Sequence, residues 1–393
     1  MTRAVAPALV ALSLMSAAAW ADYTVVVDMA HPDELSVTLK LPKAEGAPHR
    51  LDVRGAAWGL QPQVHSAACG SVPLKQQKNG TWIADAACRE VNWKVSPVVA
   101  LDGAVDVSKH ATLLFQNPRW LLLADPSSLL RLTDDTAAPA SSITIQSGRT
   151  AVLGATPLGK QAWRVPSAGN APEFFVVGDL PARSRTIGAF EVRYVADDQR
   201  RIEALGLEAG HERLLEYLGR VLPPPAALPA SERTLLVVWI GIDERRGRAR
   251  VAAGNRSLMA NYVIGKPDAA KLHAAQTLMV LAQHQFRQLA DLVRASLPPL
   301  PPSVNESLAA YYALKAVRTV FSGPEVESIR SDRIEFWTAI DDALGAGALD
   351  SLVPDLLRSS VEPGGRLPAA FVATLRARLG ARTDALLAKY GGD

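Results

Sequence analysis

Two nearby stretches of the chain carry residues whose types and spacing could build a metal site: His284, Gln285, Arg287 and Gln288 in LAQHQFRQL, and Glu306 in VNESLAAYY. Two imidazoles four residues apart share a helical face and can meet one zinc ion. A glutamate directly after the first can polarise a zinc-bound water and carry its proton. That is the H-E-x-x-H pattern, completed by a carboxylate from the next helix. Here His284 takes the first ligand position, Gln285 the position of the proton carrier, Gln288 the second ligand and Glu306 the third. Glutamine takes no proton at neutral pH and is a poor zinc ligand beside histidine. A second frame, one residue earlier, puts Gln283 and Arg287 at the ligand positions and His284 at the base position, keeping only Glu306. Both frames lose the carboxylate base. The residue types therefore predict a site with no intact catalytic residue and no metal, in which His284 and Glu306 are vestiges. A bidentate pair between Arg287 and Glu306 is expected to replace the charge of the ion. Zinc is expected only under the alternative of a repositioned ligand set.

The elements that must position these residues are legible on either side. Pro267 to Ala295 reads as a long helix, Pro298 to Pro302 breaks it, and Ser303 or Asn305 can cap a second helix running to about Val320. On that second helix Tyr311 and Tyr312 are candidates to face a cleft. Upstream, Glu208 to Val221 is helical, with Leu214, Leu215, Leu218 and Val221 on one face. Leu235 to Ile240 is a continuous apolar run, as for a strand covered on both faces. A charged turn, Asp243 to Arg250, leads to an edge-like strand, Leu258 to Ile264. His273 returns to the face of His284, but about 16 Å along the axis. His211 lies on an exposed-looking helix, and His31, His49, His65 and His110 lie in the first half; each reads as an ordinary surface or core residue.

That first half, from Tyr23 to about Leu180, reads as β. Tyr23 to Val27, Leu35 to Leu41, Thr81 to Ile83, Val91 to Val95, Ala111 to Phe115, Ile143 to Gln146 and Phe174 to Val177 are strand-like and punctuated by Gly, Pro and Asn, the pattern of an antiparallel sandwich. Trp58, Trp82, Trp93, Trp120 and Trp163 fall there. Core filling is their expected role, with an aromatic binding platform as the alternative. From Ser331 onward several shorter helices are expected.

With a β-domain first, then helix, buried strand, charged turn, strand, the HQFRQ helix and NESLAAYY, the chain resembles the glycyl-aminopeptidase-like family of gluzincin metallopeptidases. The resemblance implies an α+β fold, a β-sandwich followed by a thermolysin-like mixed and helical domain. It divides the chain into a signal peptide (1–21), the β-sandwich (22–180), a degenerate gluzincin-like domain (181–325) and a C-terminal helical region (326–393). The PDZ module common in that family is not expected. Exopeptidases of the class hold the substrate's amino terminus with an acidic residue on an edge strand, yet Gly254 to Lys266 (GNRSLMANYVIGK) carries none. The resemblance thus implies an inactive relative that binds a peptide or protein partner in the former cleft. The alternative is an active zinc aminopeptidase or peptidase with an atypical metal set.

Composition sets the remaining bounds. The 393 residues are 48% hydrophobic and 21% charged, ordinary for a globular protein. The formal net charge of +3, without a basic run, lacks the electrostatic footprint of nucleic-acid binding. Arg3, the apolar run Ala4 to Met15 and Ala19-Trp20-Ala21 form a secretory signal pattern with cleavage after Ala21, which predicts a periplasmic or secreted protein. No later run reaches the roughly 20 apolar residues of a membrane span. In an oxidising compartment the two cysteines, Cys69 and Cys88, are expected to bridge, stapling a hairpin that turns at Asn79-Gly80 in a type I′ turn.

Overall fold

The computed structural model describes residues 21–31, 34–41, 47–53, 63–96, 99–100, 114–117, 120–124, 130–132, 140–166, 174–179, 182–229, 233–243, 250–265, 267–294, 297–331, 333–345 and 347–390. Residues 1–20, where the signal peptide is expected, and Trp58 and His110 lie outside them.

Alternating sequence becomes alternating burial in the first half. Leu35, Val37 and Leu39 are buried while Ser36 and Lys40 face out, so the strand Leu35–Lys40 turns one face to a core. It pairs antiparallel with Asp22–Val27 on one side and Glu90–Ser96 on the other, inside an eight-stranded sheet. One pairing in that sheet is parallel, Asp22–Val27 with Ala140–Gln146. A five-stranded and a four-stranded sheet complete this part, and Tyr23, Leu51, Trp93, Leu121, Trp163 and Phe175 share its core.

Cys69 and Cys88 are bridged, with Cα atoms 5.9 Å apart. The hairpin differs from its expectation. Its arms are Lys75–Gln76 and Trp82–Ala84, whereas the bridge links the end of Gln63–Cys69 to the approach to Glu90–Ser96. The turn is not type I′, which needs positive φ at both central residues. Only Gly80 has it, at +91°, because the loop is longer and Gln77 N donates to Thr81 O.

The second half is built on a five-stranded sheet in the order Arg183–Ile187, Phe190–Ala196, Thr234–Asp243, Ser257–Ile264, Val251–Ala253. Thr234–Asp243 runs parallel to both neighbours, and every residue but Asp243 is buried, which explains its unbroken apolar run. Ser257–Ile264 is an inner strand; the edge is the short Val251–Ala253. The chain folds back antiparallel after the edge, so the longer and more apolar strand takes the covered place.

The helices are α1 (Gln199–Ala204), α2 (Leu207–Val221), α3 (Pro267–Val293), α4 (Pro302–Val320), α5 (Pro324–Ser328), α6 (Glu335–Leu344), α7 (Val353–Leu357), α8 (Ala369–Leu379) and α9 (Arg382–Tyr390). α4 begins at Pro302, one residue before Ser303 and three before Asn305, the two expected caps. Pro302 suits the first helical position because its φ is preset and its missing N–H is not needed there. Pro301 is the cap residue, without a side-chain cap bond, and its carbonyl accepts from Asn305 N. The α3–α4 connection is fixed by Arg294, which is 5% exposed. Its guanidinium donates to Pro298 O, to Leu357 O at 2.7 Å and to Ser359 O at 3.0 Å. One core joins the sheet, α2, α3, α4 and the later helices around Trp239, Tyr262, Phe286, Tyr312, Trp337 and Leu356. The chain is therefore α+β, a β-rich part followed by a mixed and helical one. Among the described residues no helix is long and apolar enough to cross a membrane.

Candidate functional site

The faces of α3 decide what its polar residues can do. Phe286 turns to α4 and stacks flat on Tyr312, with centroids 5.0 Å apart and planes within 5°. Gln285 and Gln288, one turn apart, instead reach α2 and the sheet, and both are buried at 1% and 8% exposure. They belong to a continuous polar chain through the core. Gln288 Nε2 donates to Gly254 O at 2.9 Å and to Ser257 O at 3.1 Å. Gln285 Nε2 donates to Gln288 Oε1 at 3.1 Å. His211 Nε2 lies 3.3 Å from Gln285 Oε1, and Tyr194 OH lies 2.7 Å from His211 Nδ1.

The direction of the chain follows from its end. The two backbone carbonyls can only accept, so Gln288 must present its NH₂ to them and its oxygen to Gln285. Gln285 must then present its own oxygen to His211. His211 therefore carries its proton on Nε2, and its Nδ1 accepts from the Tyr194 hydroxyl. One tautomer and one orientation of each amide satisfy every link. Burial depresses the His211 pKa to about 4, partly opposed by the bond to Gln285, so the imidazole is neutral at physiological pH. Burial also pushes the Tyr194 phenol well above its ordinary value, with nearby Glu212 and Glu208 adding to the rise.

The remaining site residues are apart from this chain. His284 is partly buried, and burial, then the Arg287 charge, depresses its pKa to about 4. Arg287 Nε is buried without a hydrogen-bond partner. Glu306 is 52% exposed, and its ion pair is with Arg333, Nη1 to Oε2 at 3.9 Å. The expected Arg287–Glu306 pair is not formed. The Phe286–Tyr312 stack occupies the space between α3 and α4, and the Glu306 carboxylate turns outward.

Tyr311 and Tyr312 do not face a cleft; they are 7% and 0% exposed. Tyr311 OH donates to Asp341 Oδ2 at 2.5 Å, and Tyr312 OH to Asp350 Oδ1 at 3.0 Å. Lys315 Nζ reaches both carboxylates, at 2.9 and 2.7 Å. This cluster ties α4 to α6 and to the turn before α7. Burial and the adjacent carboxylates raise both phenol pKa values far above the ordinary range.

Zinc does not fit the residues at these positions. Two are amides bonded to each other and to backbone, and the Glu306 carboxylate lies outward on the surface beside Arg333, apart from them. Among the described residues no group of three His, Cys, Asp or Glu is arranged to hold a metal ion. Of the tryptophans, Trp93 and Trp163 fill the β core, and Trp82 packs against it.

The sequence reading took the helix of His211 for exposed and left the residue as surface or core; it is 0% exposed. Its signal was available. His211 follows Leu207 by four residues and precedes Leu214 and Leu215 by three and four, on the apolar face of α2. Tyr194 and the Gly254–Ser257 turn carried no comparable signal.

The turn that Gln288 grips from within is also held from the β-rich part. Arg256 Nη1 donates to Thr156 Oγ1 at 3.0 Å. Gly154 approaches so closely that a Cβ there would lie 2.6 Å from Arg256 O.

No family model matches the chain, and no curated protein matches it. Solved structures do. An aminopeptidase N family protein from Idiomarina loihiensis matches with a TM-score of 0.54 at 12% identity, over 76% of this chain and 55% of that one. Legionella pneumophila aminopeptidase A, solved with aspartic acid, matches with a TM-score of 0.52 at 12% identity, over 94% of this chain and 49% of that one. At that identity the likeness shows the fold alone. The chain spans about half the length of these proteins and shares their fold, a β-rich part followed by a mixed and helical one.

Proposed function

We propose that this protein is an exported metallopeptidase-like binding protein, without zinc hydrolysis of its own, that recognises a peptide or a protein partner. The observation that supports this best is the buried amide pair. In the frame that gives His284 the first ligand position, Gln285 and Gln288 stand where a proton carrier and a second ligand would, and they are hydrogen-bonded to His211, to each other and to the Gly254–Ser257 backbone. A zinc ligand needs a free lone pair aimed at the ion, and a general base needs a basic oxygen reaching solvent. Each amide oxygen already accepts a bond inside the core, and neither is basic or reaches solvent. The Cys69–Cys88 bridge fits an extracellular location, and cleavage after Ala21 would leave Asp22, the first residue of the first strand, as the amino terminus.

The test is metal content and activity in the same sample. Purified protein is expected to hold far less than one zinc per chain. It should leave aminoacyl-naphthylamide substrates intact with zinc added. Near-stoichiometric zinc that is lost in His284→Ala, with hydrolysis lost in parallel, would overturn the reading in favour of an active enzyme. Export is checked by cell fractionation and by the sequence of the mature amino terminus.

A further inference from the structure

The geometry points to a peptide-binding cavity between the start of α4 and the helices α6, α8 and α9, away from the buried amide chain. We infer that it takes the apolar side chain of a short peptide, with the peptide's charged ends at its rim. This deepens the binding role proposed above and rests on it.

The cavity has a volume of about 810 Å³, within the roughly 300–1,000 Å³ of ligand sites. Its lining is apolar where Val304, Phe336, Leu367, Val372 and Leu387 meet. One wall is preorganised: Trp337 is 0% exposed, and its Nε1 donates to Ser307 Oγ at 2.9 Å. The rim is charged in both senses. Arg333, Arg366 and Glu335 line it, and Glu306 stands beside Arg333. The Arg333–Glu306 pair is loose, at 3.9 Å with side chains 79% and 52% exposed, so each partner can turn to a ligand group at little loss. Arg333 also holds φ at +61°, a left-handed conformation unusual for a residue other than glycine. Such outliers cluster where a side chain must be held for binding.

The occupant follows from charge and shape. Arg333 and Arg366 with Glu335 in the lining, and Glu306 beside Arg333, put both signs of charge at the rim and favour a zwitterion over a simple anion or cation. A phosphorylated or fatty anion would set its charge against Glu306 and Glu335. A polar metabolite would leave the apolar lining without a partner. A short peptide with a leucine or phenylalanine side chain and free ends satisfies both: the side chain in the apolar lining, the carboxylate toward Arg333 and the ammonium toward Glu335 at the rim.

The experiment is calorimetric titration of the full chain with Ala-Leu-Phe-Ala and with its N-acetylated, C-amidated form. Val372 on α8 and Leu387 on α9 are only partly buried, so Val372→Trp and Leu387→Trp fill the cavity from two sides without opening the core. Either is expected to weaken the free peptide at least tenfold. Arg333→Gly accepts the left-handed φ without strain; it is expected to weaken the free peptide severalfold and leave the amidated form unchanged. Unchanged affinity in both tryptophan variants, with intact folding by circular dichroism, overturns the cavity site and leaves the broader binding role standing. Absence of binding by the wild-type chain at millimolar peptide overturns both for peptides.

Discussion

Gln288, which one reading of the sequence motif puts at a ligand position, is a structural side chain in the fold. Its amide donates to Gly254 O and Ser257 O and accepts from Gln285, all out of solvent. Replacing it by leucine keeps the volume but strips Gly254 O and the Gln285 amide donor of these partners, while Ser257 O keeps its bond from Gly254 N. The expected loss is about 2–4 kcal/mol, measured by urea unfolding. His211 gives a pH dependence whose sign can be worked out. Its pKa is depressed to about 4 in the folded chain from the ordinary 6.5. Between those values the unfolded chain takes up a proton that the folded chain refuses, so stability falls as pH drops from about 6.5 toward 4. The slope is at most about 1.4 kcal/mol per pH unit. His211→Asn is expected to be less stable at pH 7 but to show a shallower decline between pH 6.5 and 5, where most carboxylates stay ionised. Equal slopes would show that His211 is not the titrating group. The glutamines themselves were readable in the sequence. Their bonding was not, because His211 and Tyr194 lie 74 and more residues upstream of Gln285.

At the level of elements, Arg294 holds the C-terminal helices to the end of α3. It is the positive end of a buried set of backbone carbonyls from Pro298, Leu357 and Ser359. Burial lowers its pKa from the ordinary arginine value, with nearby Asp291 opposing the shift. Arg294→Met removes those bonds and is expected to cost about 3 kcal/mol. Limited proteolysis should then cut first in the region after residue 297. The Cys69–Cys88 bridge plays a corresponding role among the strands, and its reduction is expected to lower stability by about 3 kcal/mol, checked by thermal unfolding with and without reductant. Periodicity placed α2 and α3 well, since their apolar faces repeat over whole turns. It misplaced the start of α4, where Pro302 rather than Ser303 or Asn305 opens the helix. It also took Ser257–Ile264 for an edge, because strand order is set by pairing between distant segments, which local pattern does not encode.

For the whole molecule, the β-rich part and the mixed part meet at the Gly254–Ser257 turn, held by Gln288 on one side and by Thr156 and Gly154 on the other. Gly154→Val would force a side chain into the Arg256 backbone, with its Cβ at 2.6 Å from the carbonyl oxygen. It is expected to destabilise the protein by about 2 kcal/mol and to separate the thermal transitions of the two parts, seen by calorimetry; a single unshifted transition would show that the contact is dispensable. By itself the sequence determined the order of elements, the β-rich and helical halves, and the absence of H-E-x-x-H, because helix and strand periods and residue chemistry are local properties. Only the tertiary structure decided that Arg287 and Glu306 do not pair, that Tyr311 and Tyr312 are core, and that Gln285 and Gln288 close a buried chain. Those outcomes depend on which helix face meets which neighbour. Here the Phe286–Tyr312 stack and the carbonyls of the Gly254–Ser257 turn set that choice.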